Sequence, residues 1–154
     1  MYKKICVIIL FLLCLQNCGY SPMITKIENK NFNITNLDLE GDQKINNFIK
    51  RELNKYVGNN EANKNFEINI VTNYKKVSLV KDAKGNTTDF KLEANLILSF
   101  IEKKENQEKI VNLIENFTIK KNDNNYDQND YERAIINNMA QALVNKIIFH
   151  LTKN

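Results

Sequence analysis

Between Thr88 and Phe100 every second residue falls in one set: Thr88, Phe90, Leu92, Ala94, Leu96, Leu98 and Phe100. Side chains along a strand point alternately to opposite faces, so this run requires an extended strand with one buried face. Such a face cannot stay in water, and a lone strand cannot cover itself. A layered domain is therefore required.

The flanking segments say what the layers are. In "FEINIVTNYKKVSLV" the residues Phe66, Ile68, Ile70, Thr72 and Tyr74 share one face, after which Val77 and Leu79 take the opposite parity, predicting a bulge. "KDAKGN" reads as the turn between the two strands, with Gly85 and Asn86 supplying left-handed positions. After a second turn at "EKKENQE", Val111, Leu113, Phe117 and Ile119 share a side that Glu115 interrupts. Upstream, "NFNITNLDLE" forms a short strand whose parity changes between Phe32/Ile34 and Leu37/Leu39, by a bulge or by cover on both faces.

Two segments have helical spacing instead. Asp42 is an N-cap, Ile45, Phe48, Ile49, Leu53 and Tyr56 form one stripe, and Gly58 ends it. "KKNDNNYDQND" reads as a flexible loop before a final helix from Asp130 to about Leu151. That helix carries Tyr131, Ile135, Met139, Leu143, Ile147 and Leu151 as its stripe. The order is β-α-β-β-β-α, and the expected fold class is α+β: a two-layer sandwich with two helices packed on one face of a mixed four-stranded sheet. A chain of 154 residues holds one such domain, read over 31–154.

The N-terminus follows different rules. Lys3 and Lys4 precede an apolar run from Ile5 to Leu15, the shape of an export signal and too short to span a bilayer. The run ends in Leu15-Gln16-Asn17-Cys18-Gly19. This fits the bacterial lipoprotein pattern at Leu15 and Cys18, while Gln16 and Asn17 replace the small residues usual there. The expected organisation is a signal peptide over 1–17, acylation at Cys18 and a tether over 18–30. Several acyl chains anchor firmly where one alone is marginal. The three cysteines, Cys6, Cys14 and Cys18, all lie in this segment and could staple no fold. Gly19 follows the cysteine and no Asp stands there to signal inner-membrane retention, so the expected location is the periplasmic face of the outer membrane.

The charge is +4, and without Lys3 and Lys4 the 22 basic residues become 20 against 18 acidic ones. That balance gives no surface for a nucleic-acid duplex. The single His150 sits near the end of the final helix, where the helix terminus accounts for it. The four glycines are isolated and form no phosphate loop. "NDNNYDQND" lacks the central Gly and terminal Glu of a calcium loop. No catalytic set, metal site or cofactor is expected, and the chain reads as a non-enzyme. The pairs Lys75-Lys76 and Lys120-Lys121 could meet anionic groups as point charges, or simply keep strand ends and turns soluble.

Three features together resemble one family: the start "LQNCGYSP", the β-α-β-β-β-α order, and the closing helix "YERAIINNMAQALVNKIIFHL". The chain is similar to the lipopolysaccharide-assembly lipoprotein LptE. The resemblance implies a role without turnover: filling the lumen of an outer-membrane β-barrel partner, LptD, assisting its assembly, and contacting lipopolysaccharide as it passes. A two-layer domain leaves one sheet face free for such a partner. That face carries Asn95, Ile97, Ser99, Asn112 and Ile114, with Ile101, Ile110 and Thr118 around them, a mixture suited to a polar barrel interior. The competing reading is a periplasmic carrier of lipid or small ligand, which would need an apolar cavity between sheet and helices.

Overall fold

A computed structural model describes residues 32–59, 61–122 and 124–153. The signal peptide read over 1–17, Cys18 and the tether read over 18–30 lie outside them. The elements are β1 (Phe32–Gly41), α1 (Gln43–Leu53) with a 3-10 turn at Asn54–Tyr56, β2 (Lys64–Lys81), β3 (Thr87–Glu102), β4 (Glu108–Lys120) and α2 (Asn125–Lys153). The sheet order is β1-β2-β3-β4, with β1 parallel to β2 and the other pairs antiparallel. Helix α1 packs over β1 and β2, α2 packs over β3 and β4, and the two helices touch. This is the two-layer α+β fold expected from the pattern, with the helices on one face of a mixed sheet.

The parity change in β1 is a bulge. Ile34 stands opposite Phe66, the register slips between Ile34 and Asn36, and Leu37 and Leu39 then stand opposite Ile68 and Ile70. One extra residue returns both leucines to the helix side, where they pack on the core. The chain leaves β1 at Gly41, whose φ of +100° suits glycine. A Cβ there would stand 1.9 Å from the Thr72 carbonyl oxygen, so this crossover fits no other residue. Asp42 follows as the N-cap, its Oδ1 accepting from the Ile45 N–H at 3.0 Å. Buried Thr72 completes the junction by donating its hydroxyl to Asn46 Oδ1 at 2.8 Å.

The long alternating strand behaves as its sequence demands. Leu92, Ala94, Leu96, Leu98 and Phe100 are buried against the helices, beside Phe66, Ile68 and Ile70 of β2. Glu115, the interruption in β4, pairs with Lys146 of α2 at 2.6 Å, and the same ammonium donates to the Ile114 carbonyl at 3.0 Å. The break in the apolar pattern is thus a bond between edge strand and helix.

Four details depart from the expectation. The bulge in β2 falls at Leu79, not before Val77, so Val77, Leu79 and Val80 all end exposed. Gly85 takes positive φ in the hairpin turn, but Asn86 does not; among the described residues the left-handed asparagine is Asn106, in the β3–β4 turn. Helix α2 begins at Asn125, inside the expected loop, with Asn124 Oδ1 accepting from the Tyr126 N–H at 3.0 Å. Its buried surface is a double row, Ile135/Ile136, Met139/Ala140, Leu143/Val144 and Ile147/Ile148, closed by Leu151. Tyr131 lies outside that row and is 47 % exposed. At its end of the helix the sheet is met by Glu132, whose carboxylate accepts from the Tyr74 hydroxyl at 3.0 Å. Burial first, and that carboxylate second, push the phenol well above its ordinary value.

Candidate functional site

The face of the sheet turned away from the helices holds the expected partner residues in one patch. The register sets Val71, Ile97 and Asn112 side by side across β2, β3 and β4. The next row toward the hairpin tip is Asn73, Asn95 and Ile114; the next the other way is Asn69, Ser99 and Ile110. Asn95, Ile97, Ser99, Asn112 and Ile114 are therefore neighbours, although they come from two strands. Ile97, Ile110 and Ile114 are 46, 63 and 53 % exposed. Across β2, β3 and β4 these three rows contain no charged residue; on the edge strand β1, Asp38 stands beside Asn69 and Glu40 beside Val71.

Charges stand where the patch stops. At one end Glu67, Ile101 and Glu108 form a row, with Lys103 pairing to Glu67 at 3.5 Å. At the other, Lys91 and Glu93 pair along β3 at 2.8 Å. Lys91 first, and the Asn95 amide second, hold the Glu93 carboxyl below the usual carboxylate range. The Asn95 Nδ2 donates to Glu93 at 3.0 Å, while its Oδ1 is inaccessible to water and accepts no hydrogen bond. An unpaired acceptor of this kind carries a desolvation cost within the sheet. Depletion of charge at the centre with a charged rim is the make-up of a protein contact surface.

A second exposed feature lies at the tip of the β2–β3 hairpin. Val77, Leu79 and Val80 are about half exposed there. Around them stand Lys75, Lys81, Lys84, Lys120 and Lys121, none of which forms an ion pair among the described residues. The turn itself is rigid: the Asp82 Oδ1 accepts from the Lys84 and Asn86 N–H groups, both at 2.8 Å. Lys121 is joined to the hairpin by its N–H, which donates to the Thr88 carbonyl at 2.7 Å. Lys76, by contrast, is committed to Glu132 and lies over the Phe90 ring at 4.5 Å. Of the two lysine pairs singled out in the sequence, only Lys120-Lys121 keeps both charges outward.

Val71 is the member of the patch that sequence reasoning missed. Its parity was legible, since it alternates against Ile68 and Ile70, but one valine among Asn69, Asn73 and Lys75 gave no stripe. The register with Ile97 makes it part of one. Cys18 lies outside the described residues. Among those residues no group of His, Cys, Asp and Glu is arranged to hold a metal, and no helix is long and apolar enough to cross a membrane. His150 lies in the last turns of α2 with its ring edge-on to Phe149. The space between sheet and helices is occupied by one continuous cluster of apolar side chains.

No protein-family model matches this sequence, and no curated protein matches it. Solved structures match its fold. Rare lipoprotein B from Shewanella oneidensis superposes with a TM-score of 0.58 at 10 % identity, covering 77 % of this chain and 95 % of that one. Uncharacterized lipoprotein B from Nitrosomonas europaea gives 0.50 at 14 % identity, covering 77 % and 83 %. At these identities the likeness establishes the shared fold.

Proposed function

We propose that this chain is a lipid-anchored lipoprotein at the periplasmic face of the outer membrane, which plugs a large β-barrel of the LptD kind and assists its assembly. One observation carries the reading. The free face of the sheet is uncharged at its centre, across β2, β3 and β4, and studded with the exposed Ile97, Ile110 and Ile114. A solvated face gains nothing from exposed isoleucines, whereas a barrel wall of mixed polarity covers them and meets the asparagines around them. The lipoprotein pattern at Leu15–Cys18, the resemblance to LptE that includes it, and a fold shared with rare lipoprotein B also support it. In this reading the protein performs no catalytic step and takes no cofactor, and the outward lysines at the hairpin tip meet the phosphates of passing lipopolysaccharide.

Charging the patch tests the reading. Ile97 and Asn112 stand opposite each other, so like charges there would also strain the sheet. The double substitution Ile97→Lys with Asn112→Glu makes a compatible cross-strand pair and still charges the centre. The folded variant should no longer bring down a large barrel from its own membranes, where the wild type does. Retention by the variant would refute the surface. Absence of any barrel with the wild type would refute the partner and favour the carrier.

A further inference from the structure

The exposed surface of α1 carries Lys44, Lys50 and Arg51, and Lys55 follows in the 3-10 turn, away from the buried Ile45, Ile49 and Leu53. Glu52 stands on its flank, paired with Arg51 at 3.3 Å and with Lys55. The aromatic among them, Phe48, is partly buried and lies under the Arg51 guanidinium at 4.5 Å. Four basic groups, two of them sharing Glu52, leave a net positive surface without an apolar anchor, which lacks the desolvated hot spot on which a folded partner's affinity depends. They suit a diffuse anionic surface. Just past α1, the Tyr56 ring stacks on Phe32 at 4.6 Å, and Phe32 opens the domain where the tether joins it. The basic end of α1 therefore stands beside the attachment point of the tether.

We propose that before a partner is engaged the acylated chain rests with α1 on the anionic phospholipid headgroups of the leaflet that holds its lipid. The inference rests on acylation at Cys18. The helices and the partner patch occupy opposite faces of the sheet, so this posture turns Ile97 and its neighbours away from the membrane. Attraction to an anionic surface falls off within a Debye length, about 8 Å at physiological salt. The tether joins the domain at Phe32, beside these residues, and an electrostatic contact made within that range adds to the hold of the lipid.

Full-length acylated protein on vesicles of phosphatidylcholine, alone or mixed with phosphatidylglycerol, provides the test. Acetylation of each lysine would be followed by mass spectrometry. Lys44, Lys50 and Lys55 should label several-fold more slowly on the anionic vesicles, lose that protection in high salt, and leave Lys84 and Lys121 unchanged. Equal labelling on both vesicles overturns the inference, as does protection of Lys84 and Lys121 instead. In K50Q/R51Q/K55Q, which leaves the buried side of α1 intact, the protection of Lys44 should vanish; its persistence also overturns the inference. Intact mass of the same sample reads acylation separately. An acylated chain without protection sinks the helix contact alone. An unacylated chain that still shows salt-sensitive protection upholds the contact and sinks the anchor.

Discussion

The two faces of the sheet come from the same strands and the same alternation, yet they treat apolar residues in opposite ways. On the inner face Leu96 and Leu98 are sealed beneath the helices. On the outer face Ile97, one residue away, is half exposed, and so are Ile110 and Ile114 across the strand pair. Burial of the inner set supplies the stability of the domain. The outer set contributes little of that, so its apolar character belongs to whatever covers it. Strand periodicity thus separates what folds the chain from what the chain presents.

The largest effect should come from breaking the inner face. Leu98→Ala removes a fully buried side chain from the centre of the core and should cost about 2–5 kcal/mol in a denaturant titration. A loss under ~1 kcal/mol would mean that the two faces are less different than the structure makes them. Next comes the junction that lands α1 on that face. Gly41→Ala forces a Cβ against the Thr72 carbonyl at positive φ and should cost about 1–3 kcal/mol; an unchanged denaturation midpoint would contradict this. On the outer face, Ile97→Thr keeps a β-branched side chain at an exposed position and should change stability by no more than ~0.5 kcal/mol. A loss comparable to Leu98→Ala would erase the distinction.

Much of this contrast was legible in the sequence because strand parity is a strict rule. Leu92 to Phe100 could face only one way, and Asn95, Ile97, Ser99, Asn112 and Ile114 therefore the other. Where side chains can bond locally to the backbone, the pattern misled. "NDNNYDQND" is rich in residues that favour caps and turns. Much of it nevertheless forms the first turns of α2, held by the Asn124 cap and by buried Gln128, whose Oε1 accepts from the Asn122 N–H at 2.6 Å. Tyr131 has the right spacing but precedes the turn at which the helix meets the sheet with two rows. The unpaired Asn95 oxygen could not be foreseen, because it depends on the amide's bond to Glu93.

The smallest expected effect lies where neither face is covered, at the hairpin tip. The Asn86 backbone N–H first, and the other donors of the turn after it, hold the Asp82 carboxyl below its ordinary value. A depressed carboxylate contributes stability above its unfolded pKa and loses it as pH falls through the folded value. The tip should therefore loosen only in acid, below the ordinary aspartate range, while the inner face stays intact. The Asn86 amide shift in an NMR titration would report this midpoint; one at or above the ordinary aspartate value would contradict it.

The central claim is that the uncharged centre of the outer face is covered by a barrel. Photo-crosslinking residues placed at Ile97 and at Asn112 in the acylated protein, within its own membranes, test it most directly. The account predicts that both positions form an adduct with one large outer-membrane β-barrel. A folded, membrane-held protein that forms no such adduct from either position would contradict it.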